Sequence, residues 1–196
     1  MSFQFVSEPG TDPEETRTLL LLHGTGGTEH DLVKIGKDLL PGAAILSPRG
    51  NVSEQGASRW FRRFAEGVFD ELDMKLQADD LASFLHEQGT ANLVALGYSN
   101  GANMGAALMT FHPEVLSGLI MWRGMKILQE PVSSDLVGKK VLMINGMLDQ
   151  MGPIDSAREQ AEVFRLSRAE VTAHELGTGH GLTHADFSLT ADWLKN

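Results

Sequence analysis

Asn92-Leu93-Val94-Ala95-Leu96-Gly97-Tyr98-Ser99-Asn100-Gly101-Ala102-Asn103-Met104-Gly105-Ala106-Ala107-Leu108-Met109 decides the fold of this chain. An apolar run ends in Gly97-Tyr98-Ser99-Asn100-Gly101, a G-x-S-x-G, and small helix-forming residues follow at once. The stretch therefore reads as strand, sharp turn and helix. A serine in such a turn is forced into a strained backbone conformation that lifts its hydroxyl clear of the sheet edge, and side chains in place of the glycines would collide with neighbouring backbone. Ser99 is the candidate nucleophile. A helix beginning at Asn100 aims free N–H groups toward an anion beside it. An ordinary glycine-rich turn can produce the same short pattern, so its meaning rests on whether the chain also supplies a base, an acid and a second oxyanion donor.

Upstream, Thr18-Leu19-Leu20-Leu21-Leu22-His23 is a continuous apolar run, the pattern of a strand buried on both faces of a parallel sheet. It ends in Gly24-Thr25-Gly26-Gly27. This loop lacks the Lys-Ser/Thr of a P-loop and the full G-x-G-x-x-G spacing, which weakens a nucleotide-binding reading. A His-Gly-x-Gly loop at this place in a serine hydrolase supplies the second oxyanion donor, here the N–H of Thr25, to pair with that of Asn100.

Downstream, residues 140–145 read as another buried strand, followed by Gly146-Met147-Leu148-Asp149 and a helix over Ile154–Leu166. An aspartate just beyond a parallel strand is placed where open α/β sheets collect their site residues, so Asp149 is the candidate acid, with a helix cap as the competing reading. Asp155 is better explained as a partner of the helix dipole. Glu170–Leu176 reads as the last strand and runs into Gly177-Thr178-Gly179-His180-Gly181.

Seven histidines are present, and most have explanations other than chemistry. His23 ends a buried strand and bonds its own loop; His30, His86 and His112 lie in polar or helix-end surroundings, and His174 is in a strand. His180 and His184 have the spacing of a helical metal pair, but the glycines around them oppose a helix and no matching carboxylate motif exists, so zinc is rejected. His180 is the candidate base, and His184 falls at the start of the last helix. The chain order Ser99, Asp149, His180 is that of an α/β-hydrolase rather than of chymotrypsin or subtilisin.

The remaining segments fit that plan. Residues 3–7 predict an edge strand, 29–40 a helix, 43–47 a strand, and 70–88 a helix burying Leu72, Leu76, Leu81, Phe84 and Leu85. Residues 115–121 predict a strand and 183–195 a closing helix docked by Phe187, Leu189, Trp193 and Leu194. Residues 48–67 show no period and read as a long loop. Within it Trp60, Phe61 and Phe64 either pack the loop down or line the substrate pocket, and Glu54 with Arg59, Arg62 or Arg63 reads as an ion-pair frame. The expected architecture is a mostly parallel sheet flanked by helices in a single domain, residues 1–196, without a lid domain.

Composition narrows the function. Hydrophobic content of 42% and charged content of 21% are those of a globular protein, and no apolar run reaches the ~18 residues of a membrane helix. The first residues lack the pattern of a secretion signal, so a cytoplasmic location is expected. With no cysteine the nucleophile must be oxygen, and a net charge of −10 argues against nucleic acid or an anionic membrane as partner. A small, neutral or weakly polar substrate is expected, with no cofactor.

On Leu22-His23-Gly24-Thr25-Gly26-Gly27, Gly97-Tyr98-Ser99-Asn100-Gly101, residues 146–149 and Gly179-His180-Gly181, the chain resembles the phospholipase/carboxylesterase group of small α/β-hydrolases. Ser47-Pro48-Arg49-Gly50, Trp60-Phe61-Arg62-Arg63, Gly67-Val68-Phe69-Asp70 and Tyr98-Ser99-Asn100-Gly101-Ala102-Asn103 are similar to the bacterial branch linked to hydroquinone resistance. The resemblance covers nearly the whole chain and implies carboxylic-ester hydrolysis with Ser99, Asp149 and His180 as a triad, and a homodimer as a plausible state. Met121-Trp122-Arg123-Gly124-Met125 departs from it, since relatives tend to carry a proline-containing turn there. Short acyl or small aryl esters are the expected substrates, with thioesterase or lysophospholipase chemistry as the near alternative. A hydrolase-fold binding protein is the alternative of a different class. Trp60, Phe61, Met125, Met147 and Met151 are candidates to contact substrate, although core filling is the stronger reading for the methionines.

Overall fold

A leucine-rich run such as Thr18–Leu22 can be buried on both sides only in a sheet covered by helices on each face, and every residue of it is buried in that position. The computed structural model describes residues 2–132 and 134–195; Met1, Ser133 and Asn196, and with them the two ends of the expected domain, lie outside the described residues. In chain order the elements are β1 (Phe5–Glu8), β2 (Thr18–Leu22), α1 (Val33–Leu39), β3 (Ala44–Pro48), β4 (Val52–Glu54), β5 (Ala57–Arg59), β6 (Arg63–Ala65) and β7 (Val68–Phe69). There follow α2 (Glu71–Glu87), β8 (Leu93–Tyr98), α3 (Asn100–Phe111), β9 (Leu116–Trp122), β10 (Lys140–Gly146), α4 (Ile154–Leu166), β11 (Glu170–Leu176) and α5 (His184–Leu194).

The seven-stranded sheet has the order β1-β3-β2-β8-β9-β10-β11, parallel throughout except for the antiparallel edge strand β1. This is the α/β-hydrolase architecture. Alternate residues of β2 divide between two cores: Leu20 and Leu22 join α2, α3 and α4 on one face, and Leu19 and Leu21 join α1 and α5 on the other. The chain runs outward from β2 to β3 and then returns to place β8 on the opposite side of β2. The strand order therefore reverses between β2 and β8, the crevice where open α/β sheets hold their ligands.

Three local expectations are corrected. Helix α1 begins at Val33 rather than at residue 29, because Thr28 and Asp31 close a polar turn at 2.7 Å and the buried Glu29 side chain is drawn to Arg49 and Gln4 instead of capping a helix. Helix α2 buries Met74, Ala78, Leu81, Phe84 and Leu85, while Leu72 and Leu76 are 80% and 60% exposed. The rotation is set at its first turn, where buried Asp73 accepts the Arg62 N–H at 2.7 Å and so must face inward. Residues 48–67 are not an irregular loop: β4 pairs with β5, and β6 with β7, as two small antiparallel hairpins outside the main sheet.

Candidate active site

Strand β8 ends at Tyr98 and α3 starts at Asn100, leaving Ser99 alone in the turn with φ 54° and ψ −115°. A non-glycine residue with positive φ costs of order 1–3 kcal/mol unless its surroundings enforce it. Here they do. The Ser99 N–H donates to the carbonyl of Trp122 at 2.8 Å, and a Cβ on Gly101 would stand 2.0 Å from the Leu22 carbonyl oxygen. Helix α3 thus passes so close to the end of β2 that only glycine fits at that contact.

From the opposite side, β11 delivers the loop that carries His180. Its Nε2 lies 3.0 Å from Ser99 Oγ, and its Nδ1 lies 2.7 Å from Asp149 Oδ2. The other oxygen of Asp149 accepts the N–H groups of Met151 and Gly152 at 2.9 and 3.1 Å, so the buried carboxylate is held by its own turn and presents one oxygen to the imidazole. Asp149 does not cap a helix: α4 begins at Ile154 after Pro153, with no side-chain cap, and the bonds to Met151 and Gly152 close a turn ahead of it. His184 opens α5 and is not at this site. Among the described residues no group of three or more His, Asp or Glu is arranged to hold a metal ion.

Thr25 and Asn100 flank Ser99 in the cavity wall. Asn100 is the first residue of α3, and its N–H is among those a helix start leaves without an intrahelical acceptor. The segment before Thr25 is fixed by His23: its Nδ1 bonds the Gly24 carbonyl at 2.7 Å and its Nε2 accepts the Gly50 N–H at 3.0 Å. That pattern requires the neutral ring, and burial pushes the His23 pKa below its ordinary value.

The cavity at Ser99 has a volume of about 80 Å³ and is lined on its far side by Arg59, Arg63, Glu66, Phe69, Met125 and Met151. Met125 and Met151 lie in this wall, although core filling is the stronger reading of the methionines from sequence. Met147 is 49% exposed and lies off the wall. Trp60 and Phe61 are corrected: both are fully buried in the core under α2 and α3 and do not reach the cavity, because the chain after β5 turns inward.

The residues missed in sequence are charged ones. Arg59 and Arg63 share Glu54, as the ion-pair frame anticipated, yet both also face the cavity, whereas Arg62 pairs instead with Asp70 and Asp73. Burial, and then the neighbouring charge of Arg63, lower the Arg59 pKa. Arg123 was noted only as a departure from relatives. It adopts φ 58° and is buried against the His180 loop. A run of arginines after an aromatic was the available signal, but a period-free segment gives no hint of which side chains point inward.

No helix of the described residues is long and apolar enough to cross a membrane. No family model matches the chain. MhqD of Bacillus subtilis strain 168, named as a hydrolase, is 35% identical over 97% of this chain and 96% of its own length. The crystal structure of a Bacillus cereus carboxylesterase superposes with a TM-score of 0.95 at 35% identity, covering 98% of this chain and 93% of that one. A Mesorhizobium loti carboxylesterase gives a TM-score of 0.87 at 28% identity over 93% and 90% of the two chains.

Proposed function

This chain belongs to the phospholipase/carboxylesterase family of small α/β-hydrolases, and from that premise we propose that it hydrolyses small carboxylic esters through an acyl-enzyme formed on Ser99. The observation that carries the reading is the relay of Ser99 Oγ, His180 and Asp149 at 3.0 and 2.7 Å. His180 Nε2 takes the hydroxyl proton as Oγ bonds the ester carbonyl carbon, and Asp149 holds the imidazole in the tautomer that can accept it. The carbonyl oxygen becomes an anion facing the N–H groups of Thr25 and Asn100, each donor worth about 3 kcal/mol to the transition state. The imidazolium returns the proton to the departing alcohol. Water, deprotonated by the same nitrogen, then attacks the acyl carbon, and Ser99 recovers its proton as the acid leaves.

The cavity of about 80 Å³ favours short acyl groups over lipid chains, with Met125 and Met151 as adaptable apolar contacts. The test is turnover of p-nitrophenyl acetate against longer acyl esters, a thioester and a lysophospholipid. Ser99→Ala is expected to lower kcat by about 10⁴-fold or more. Equal p-nitrophenol release by wild type and Ser99→Ala would sink the proposal, and preference for the thioester or lysophospholipid would move it to that leaving group.

A further inference from the structure

Three consecutive main-chain carbonyls of the histidine loop are held by side chains from elsewhere in the fold. Gly179 O accepts from Arg123 Nε at 3.1 Å, His180 O from the Tyr98 hydroxyl at 3.2 Å, and Gly181 O from Arg123 Nη2 at 2.9 Å. The rest of the Arg123 guanidinium is also committed: Nη1 donates to Ile144 O at 3.1 Å and Asp186 Oδ1 at 2.6 Å, and Nη2 to Asp186 Oδ2 at 3.0 Å. Every one of the five N–H groups of an arginine thus has an acceptor. Asp186 is itself locked, since its Oδ2 also accepts the N–H and hydroxyl of Thr183 in the capping box of α5.

We propose that Arg123, assisted by Tyr98, is the positioning residue that sets where His180 stands between Ser99 and Asp149. The inference rests on the esterase reading for its kinetic consequence, but its geometry is independent of substrate. A merely structural ion pair between β9 and α5 would need the Asp186 contacts alone. The two bonds to the glycines on either side of His180, and a third to His180 itself, serve the loop. Ile144 lies in the strand that leads to Asp149, so the same guanidinium ties the acid's strand to the base's loop. Arginine is required because a lysine ammonium can answer Asp186 but cannot fork to two carbonyls about it.

The experiment compares wild type, Arg123→Lys and Tyr98→Phe in p-nitrophenyl acetate kinetics and in the proton resonance of the His180 Nδ1–H. Expected for Arg123→Lys is a kcat about 100-fold lower, as a misplaced group gives. Its KM stays within about twofold of wild type, and the resonance is shifted or lost while the protein stays folded. Tyr98→Phe, which removes one hydroxyl, is expected to show a smaller loss of kcat with the same resonance moved. A folded Arg123→Lys with wild-type kcat and an unmoved resonance overturns the proposal. If Arg123→Lys does not fold, a wild-type kcat and resonance in Tyr98→Phe overturn it instead. Should wild type fail to cleave any ester and resist labelling by a fluorophosphonate, the esterase reading falls, and the resonance alone still decides whether the clamp holds the imidazole.

Discussion

The indole N–H of Trp60 donates to the main-chain carbonyl of His23 at 2.9 Å, while the Trp60 backbone N–H donates to Asn100 Oδ1 at 2.8 Å. One buried residue thereby joins the segment before Thr25 to the first residue of α3. Both proposed oxyanion donors are referenced to the same residue, one through its indole and the other through its main chain.

Trp60→Phe keeps most of the buried ring but leaves the His23 carbonyl without its donor. An unsatisfied buried acceptor costs about 1–3 kcal/mol, and the variant is expected to lose that much in urea unfolding. A kcat for p-nitrophenyl acetate reduced by about tenfold should accompany it, as one loosened oxyanion donor implies. Unchanged kcat with reduced stability would confine Trp60 to packing.

Acidification should loosen the same region. Burial holds the His23 pKa below its ordinary value, so over that interval the unfolded chain binds more protons than the folded one. Stability from this source is full above about pH 6.5, the unfolded value, and is lost as pH falls below it. His23→Gln, which cannot titrate, is expected to show a flatter melting temperature between pH 7 and 5.5. A slope identical to wild type would remove His23 from the account.

A Cβ on Gly146 would stand 2.4 Å from the Thr178 carbonyl oxygen and 2.5 Å from that of Gly179, the two residues before His180. Gly146→Ala must therefore displace the histidine loop, and kcat is expected to fall about 100-fold, the cost of misplacing a catalytic group. Gly177 lies on the same loop with open space around it, and Gly177→Ala serves as the control expected to retain kcat. Equal kinetics for both alanine variants would show that the loop absorbs the contact.

Ser99 can be asked whether its backbone stores energy. Glycine adopts a positive φ without the penalty of a side chain, so Ser99→Gly and Ser99→Ala should both be inactive, but the glycine variant is expected to be more stable by about 1–3 kcal/mol. Indistinguishable unfolding midpoints in urea would show that the turn is unstrained.

Much of this molecule is legible in its sequence, and the reason is uneven across it. Leu19 to Leu22 and the run before Ser99 announce buried strands because parallel strands need apolar residues on both faces. Gly97 and Gly101 announce the turn because backbone crowding leaves few residues that fit. Trp60, Arg123 and the exposed Leu72 were not readable in the same way. The place of each depends on partners distant in the chain, His23 and Asn100 for Trp60, and the histidine loop for Arg123. For Leu72 it depends on the face that α2 buries, which carries Met74, Ala78 and Leu81 together with Asp73, the acceptor of the Arg62 N–H. Local periodicity carries no trace of such contacts.

The two outlying hairpins carry a last implication. Arg59, Arg63, Glu66 and Phe69, a large share of the cavity wall, all come from one uninterrupted span of backbone, whereas Ser99, Asp149 and His180 are set by the ends of the main sheet. Much of the wall and the three relay residues thus come from different parts of the polymer, joined through Trp60. Exchanging residues 62–70 for those of a relative is expected to alter Arg63, Glu66 and Phe69 in the wall while leaving Gly50 and Trp60, which hold His23 and Asn100, in place.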